Sequence, residues 1–203
     1  MAPPPTVPEA FRKAVRLLEA ERVPFVVVGG LAAGLLGEPR YTRDADFMVL
    51  LKTGNVQKLA MAARDLGFDI EPELAETQWH FSGFVRFWLG EPGRRTAVDL
   101  MHCNNDFLRE VAFRARETRF CGLAVPVATP EDMILFKVSA WREKDVPDAR
   151  AILSRHRDHL EVAYLRRWAE WMAKRSPLLK DAPARLEAVL SGQPGPPAIL
   201  EPG

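Results

Sequence analysis

Apolar positions along this chain alternate between a helical period and short unbroken runs, and the changes of period mark out its elements. Residues 8–22 place Phe11, Val15 and Leu18 on one side, with the stem of Arg22 beside them and charges opposite, which predicts an amphipathic helix. Pro24 ends it, and Phe25–Val28 reads as a strand stopped at Gly29-Gly30. Gly29–Leu36 predicts a short helix closed by Gly37 just past its C-cap. A second strand is expected over Ala45–Leu51, and a helix over Asn55–Leu66 stopped by Gly67. Phe68–Ile70 and Trp79–Leu89 read as strands, the latter from its aromatic and apolar alternation, and Glu91-Pro92-Gly93-Arg94 is a turn. Thr96–Met101 is the next strand, followed by a helix to about Arg114 capped by Asn104 or Asn105. Thr118–Val127 predicts one or two edge strands split by Gly122.

Beyond residue 128 the pattern becomes helical. Thr129-Pro130-Glu131-Asp132 has an N-cap residue, a proline at the first helical position and two acids in the first turn. On the helix it opens, Met133, Ile134, Val138, Ala140 and Trp141 form one apolar sector, and Lys137 falls inside it. Tyr164, Leu165, Trp168, Trp171 and Met172 give residues 161–174 a broad apolar face, expected to pack on the preceding domain rather than to stack on bases. Residues 191–203 are expected to form a disordered tail, and Met1–Val7 to fray. The expected architecture is an α/β (α+β) domain over residues 1–128, a short mixed sheet flanked by helices, followed by a helical segment over 129–190.

Composition narrows the function classes. The chain has 203 residues, 47% of them hydrophobic, enough to bury a sizeable core. With 28 Lys and Arg against 27 Asp and Glu, and neither half a basic lobe, bulk charge gives no support to strong non-specific nucleic-acid binding. Cys103 and Cys121 lack metal-ligand spacing and do not suggest a disulfide framework. The start, Met-Ala-Pro-Pro-Pro, lacks the regions of a signal peptide, and no apolar run approaches 18 residues, so no membrane span and a reducing, cytoplasmic location are expected.

The chemistry gathers between residues 25 and 49. Glycines after a strand let a phosphate approach backbone N–H groups at a helix start, which nominates Gly29 and Gly30. Asp44 and Asp46 enter the second strand two residues apart, positions roughly 6.5–7 Å apart along the strand that project from the same face. Two anions held there repel, and a divalent cation between them, Mg²⁺ or Mn²⁺ for an all-oxygen site, relieves the repulsion. The alternative is a turn acid followed by a strand-end acid. A third carboxylate, Asp99, sits alone in an apolar strand, where an unpaired charge is costly unless protonated, paired or metal-bound, and a metal explains it most simply. Lys137 needs an anionic partner on its inward face, either a triphosphate or a structural acid. Asp145 and Asp148 read equally as a helix cap and as groups orienting Lys137 or a nucleotide. Arg40, Thr42 and Arg43 lie in the loop that would face phosphates. His102 should point to the opposite strand face from Asp99, and His156 and His159, three apart near a helix end, suit exposed carbonyls better than zinc.

Taken together, Gly29-Gly30, the Arg40-x-Thr42-x-Asp44-x-Asp46 run, Asp99 and the later Lys137…Asp145…Asp148 segment resemble the nucleotidyltransferase-fold superfamily related to polymerase beta. Within it the chain is most similar to the abortive-infection (AbiE-type) and minimal nucleotidyltransferase branches of toxin–antitoxin systems. The resemblance spans about residues 23–155. Many relatives carry Gly-Ser where this chain has Gly29-Gly30, so a serine hydroxyl for the phosphates is missing here. The resemblance implies NTP as substrate, Mg²⁺ or Mn²⁺ held by Asp44, Asp46 and Asp99, nucleotide contacts from Gly29, Gly30, Arg40, Thr42, Arg43, Lys137 and Asp148, and a catalytic set of Asp44, Asp46, Asp99 and Lys137, with Lys137 stabilising the charge on the leaving pyrophosphate. It further implies transfer of a nucleoside monophosphate to an acceptor, which could be tRNA, a protein or a small molecule, and a cognate toxin or antitoxin partner. A catalytically silent binding protein of the same fold and a metal-dependent nuclease remain as alternatives.

Overall fold

A computed structural model describes residues 4–199, which fall into two compact units, residues 4–31 with 41–127 and residues 32–40 with 128–199. The first is built on a seven-stranded mixed sheet. In chain order its strands are β1 (Phe25–Val27), β2 (Asp44–Val49), β3 (Phe68–Asp69), β4 (Phe84–Leu89), β5 (Thr96–His102), β6 (Arg116–Phe120) and β7 (Leu123–Val127). They lie in the order β3-β4-β5-β2-β1-β7-β6, with β2 at the centre, parallel to β5 and antiparallel to β1. The split of Thr118–Val127 at Gly122 is as expected, but only β6 is an edge: β7 also pairs in parallel with β1, Val27 opposite Val127.

Helix α1 (Val7–Ala20) is capped by Thr6, whose hydroxyl accepts from the Glu9 N–H, and carries Pro8 in its first turn. Its inner face buries Ala10, Phe11, Ala14, Val15, Leu17 and Leu18. Phe11 stacks on Phe47 of β2 at 5.4 Å between ring centroids, and Phe25 meets Phe47 edge-on at 5.7 Å. Arg22, expected to extend the apolar side, lies past the helix end in a left-handed turn with φ +53° and is exposed. Phe47 and Leu100 are buried at odd offsets from the acids of β2 and β5, and Phe87 of β4 is buried on the same side, so the α1 side of the sheet carries a hydrophobic core.

The stretch expected as a strand from Trp79 divides in two. Pro72–Ser82 is helix α4, with Pro72 at its first position and Gly83 at φ +64° closing it, and the strand begins only at Phe84. Proline start and glycine stop outweighed the alternation because Pro72, Ala75 and Trp79 are spaced to bury one helical face. Trp79 lies tilted over His102 on the core side of the sheet, at 5.0 Å. Helices α3 (Val56–Asp65) and α5 (Asp106–Arg114, capped by Asn105 accepting from the Leu108 N–H) complete the first unit.

The helix α2 (Gly29–Leu36) begins in the first unit and runs into the second. Gly37 receives no left-handed geometry; a Cβ there would meet the Ile152 amide at 3.1 Å and the Ala151 Cβ at 3.2 Å, so this glycine serves close approach. The second unit otherwise packs α6 (Pro130–Ala140), α7 (Asp145–His156), α8 (Val162–Arg175) and α9 (Ala182–Ser191). Thr129 caps α6 as expected, accepting from the Asp132 N–H and donating to its carboxylate at 2.7 Å. Trp141 is outside the helix, in a left-handed cap at φ +49°. The aromatic face of α8 is buried within this unit, Tyr164 donating to Asp132 Oδ1. Residues 193–199, expected in the loose tail, are tied to Trp141: its indole N–H donates to the Pro196 carbonyl at 2.9 Å and its own carbonyl accepts from Ile199 at 2.9 Å. At the other terminus Thr96 donates to the Pro5 carbonyl at 2.8 Å; residues 1–3 and 200–203 lie outside the described residues. Among the described residues no helix is long and apolar enough to cross a membrane.

Phe47, fully buried between two other rings, is the test of this core. Phe47→Ala should destabilise the protein by roughly 3–5 kcal/mol, read as a lower urea midpoint at unchanged m; a loss below about 1 kcal/mol would place Phe47 outside the core.

Candidate active site

On the sheet face away from α1, strand register sets three side chains in one rank. Asp46 of β2 is opposite Asp99 of β5, and Asp99 is opposite Arg86 of β4. The rank below holds Asp44, Ala97 and Trp88, and the rank above holds Met48, Met101 and Phe84. Asp44, Asp46 and Asp99 each place a carboxylate oxygen within 4.8 Å of the others. Unit charges about 4 Å apart repel by about 4 kcal/mol per pair at an effective dielectric near 20, so the cluster requires positive charge or donors around it.

Each acid has its own support. Thr42 donates to Asp44 Oδ1 at 2.7 Å, so this residue, expected to meet a nucleotide, orients a carboxylate. Asp46 Oδ2 accepts from the Gly30 N–H at 3.1 Å, and the Val28 N–H bonds to the Asp46 carbonyl at 3.1 Å, which ties the glycine bend to β2. Gly29 sits at φ +66°, and a Cβ built on it would fall 1.9 Å from Asp46 Oδ2. Only glycine fits there, and the reason is the aspartate itself.

Asp99 is buried, and the sequence favoured a bound metal over protonation or pairing as what stabilises its charge. The structure shows pairing. Arg86 grips it with both arms of its guanidinium, Nε to Oδ1 at 2.6 Å and Nη2 to Oδ2 at 2.7 Å. That hydrogen bond raises Arg86 above its ordinary pKa despite partial burial, and the charges of Asp99, Asp44 and Asp46 add to the effect. The Arg86 guanidinium also lies 5.2 Å from the Trp88 ring and 5.9 Å from the Phe84 ring, while Arg95 stacks over Trp88 at 4.0 Å. Arg86 was missed in the sequence. The available signal was a lone charge at an alternate position of an aromatic strand, but its partner depends on register.

The remaining predicted residues fall in the second unit or at the surface. Arg43 is exposed. Arg40 forks onto Asp148 at 2.8 and 2.9 Å, and Lys137 Nζ reaches Asp148 at 2.8 Å and Asp145 at 3.0 Å. Arg142 closes the network on Asp145 through its backbone N–H at 3.0 Å and its Nε at 2.7 Å. Burial alone would raise the Asp145 carboxyl, but the Arg142 hydrogen bonds and the Lys137 ammonium outweigh it and hold the group below the ordinary carboxylate range. Neither acid caps α7 through its side chain to the helix amides; Lys144 is the N-cap residue. His156 meets the Leu36 carbonyl at 2.8 Å, and Arg155 donates to the Gly37 carbonyl at 3.0 Å. His102 faces the core side, its pKa lowered by burial.

No family model matches the chain, and no curated protein matches its sequence. Solved structures do match it. ANT(2")-Ia in complex with adenylyl-2"-tobramycin has a TM-score of 0.54 at 17% identity, covering 79% of this chain and 97% of that one. The lincomycin-bound lincosamide antibiotic adenylyltransferase LnuA has a TM-score of 0.51 at 22% identity, covering 74% and 98%. This chain has the nucleotidyltransferase fold. An antigenic nucleotidyltransferase-like protein from Paracoccidioides brasiliensis also aligns, over 86% of this chain and 92% of its own at 16% identity, with a TM-score of 0.49. On this nucleotidyltransferase fold the acid cluster offers an all-oxygen donor set from two adjacent strands, which suits Mg²⁺ or Mn²⁺ in kind and number.

Gly29→Ala should cost at least about 1–2 kcal/mol from the left-handed backbone and displace Asp46, weakening Mn²⁺ binding; unchanged stability and binding would contradict the close approach. Because the Asp145 pKa is depressed on folding, its contribution is complete above the unfolded value near pH 4 and is lost as pH falls from there through the lower folded value. Asp145→Asn, though less stable throughout, should therefore show a flatter loss of stability below about pH 4 in denaturant titrations, and an unaltered slope would remove Asp145 from the acid limb.

Proposed function

We infer that this chain is a metal-dependent nucleotidyltransferase, moving a nucleoside monophosphate from an NTP to an acceptor with release of pyrophosphate. The observation that carries the reading is the convergence of Asp44, Asp46 and Asp99 on one sheet face beside the Gly29–Gly30 bend, in a chain with the nucleotidyltransferase fold. Asp44, Asp46 and Asp99 would hold the cation. A bound Mg²⁺ or Mn²⁺ would polarise the reacting phosphate and offset its charge.

The residues of the chain perform the rest. Gly29 and Gly30 add no side chain of their own at the α2 N-terminus, where triphosphate oxygens would meet the backbone N–H groups that Asp46 does not already engage. Thr42 and the Gly30 N–H hold Asp44 and Asp46 in position. The acceptor oxygen attacks the α-phosphorus, the bond to the bridging oxygen breaks, and pyrophosphate leaves with that electron pair. The acceptor proton passes to an Asp99 oxygen. Lys137 would have to break two buried ion pairs to reach a phosphate, so its part in this reading is to anchor α6 to α7. The AbiE-type resemblance adds a toxin–antitoxin setting with a cognate partner to the proposal, and tRNA, a protein or a small molecule as acceptor.

A second reading, a silent nucleotide-binding or interaction protein of this fold, is favoured by the full engagement of both Asp99 oxygens by Arg86. Incubation with labelled NTPs, Mg²⁺ and total RNA separates the two. Label transfer that falls on the order of 10³-fold in a folded Asp46→Ala variant is expected. Wild-type turnover in that variant would refute the assignment, nucleotide binding without transfer would support the silent protein, and shortened RNA would indicate a nuclease.

A further inference from the structure

Arg86 has no place in the reaction as drawn, yet it holds the most buried of the three acids. Its fork occupies both oxygens of Asp99, the same oxygens a cation would need. Register puts the fork in line with Asp46 as well, so the guanidinium stands at the end of a rank of carboxylates, where positive charge is most needed. The contact is also able to open. The Arg86 side chain is 39% exposed while that of Asp99 is 8% exposed, so the arginine can swing outward and the aspartate cannot. Two rings, Phe84 and Trp88, flank the guanidinium within cation–π reach on the same strand face.

Resting on the reading of the acid cluster as a cation site, we propose that Arg86 is a built-in counter-cation for Asp99. It satisfies the carboxylate when no divalent cation is held there, competes with that cation for the same two oxygens, and so sets how tightly the cluster binds metal. Asp44 and Asp46 are the standing ligands, and Asp99 joins them as the fork lets go. Arg86 is then a positioning residue acting through Asp99. Substitution at Arg86 weakens the protein without metal and strengthens its grip on metal, opposite signs that a merely structural arginine would not produce.

The test is Mn²⁺ titration of the metal-stripped full chain, followed by the electron paramagnetic resonance of free Mn²⁺, with thermal unfolding measured in parallel. Arg86→Met should bind Mn²⁺ roughly tenfold or more tightly than wild type, since a charge-assisted competitor has been removed. It should melt lower than wild type without Mn²⁺ and gain more on adding it. The gain in affinity should vanish when Asp99→Asn is added to both backgrounds, because the effect passes through that carboxylate. If Arg86→Met does not fold, Arg86→Lys serves: an ammonium cannot span both oxygens, and tighter Mn²⁺ binding than wild type is expected. Equal or weaker binding in the folded variant, a gain that survives Asp99→Asn, or no Mn²⁺ binding by any variant would each overturn the proposal. None of these readouts depends on turnover, so absence of nucleotidyl transfer with the Mn²⁺ pattern intact would refute the proposed reaction and leave the counter-cation standing.

Discussion

The parallel pairing of β2 with β5 is the constraint on which the rest of the site depends. A register in which Asp46 lies opposite Asp99 brings acids separated by 53 positions in the chain onto one face, with Asp44 a rank away. Slipping the pair by one residue would turn Asp99 toward the core and Leu100 toward the acids, because strand side chains alternate. What holds the register is the opposite face: Phe47, Leu100 and Phe87 are buried there, and Phe47 is stacked on Phe11. The hydrophobic core on the α1 side thus fixes the geometry of the charges from the opposite face of the sheet.

Crowding three carboxylates has consequences in the surrounding chain. Gly29 must be glycine because Asp46 occupies the space of a Cβ, Gly30 lends its amide to the same carboxylate, and Thr42 serves Asp44. Arg86 serves Asp99 from the neighbouring strand. Residues that look like phosphate ligands in the linear sequence are thereby drawn into supporting the acids. The distinction matters chemically: a carboxylate held by a short hydrogen bond keeps its orientation without metal, so less ordering remains to be done when a cation arrives.

The second unit follows another logic. Lys137, Asp145, Asp148, Arg40 and Arg142 form a chain of alternating charges, three cations to two anions, in which the two aspartates and Lys137 are buried. Such a network is costly to desolvate and costly to break, and its members specify one packing of α6 against α7 and of Arg40 in the crossing after α2. An inward lysine on an apolar helix face is therefore an ambiguous sign. Here its partners are protein carboxylates eight and eleven residues downstream.

Local rules made much of this legible from the sequence alone. Caps, prolines and glycines placed α1, α2 and α6 within a residue or two, and the Asp-x-Asp spacing put Asp44 and Asp46 on one strand face, because such signals act over fewer than five residues. The sequence also determined that Asp99 needed a partner, and that His102 would face away from it. Which partner Asp99 found was decided only by tertiary structure: Arg86 lies 13 residues away across a turn, and strand register alone makes it a neighbour. The helix at Pro72–Ser82, the interior place of β7 and the docking of residues 193–199 on Trp141 likewise rest on surfaces supplied by distant segments. Periodicity shows which side of an element is apolar, but what that side meets is set by how the whole chain closes.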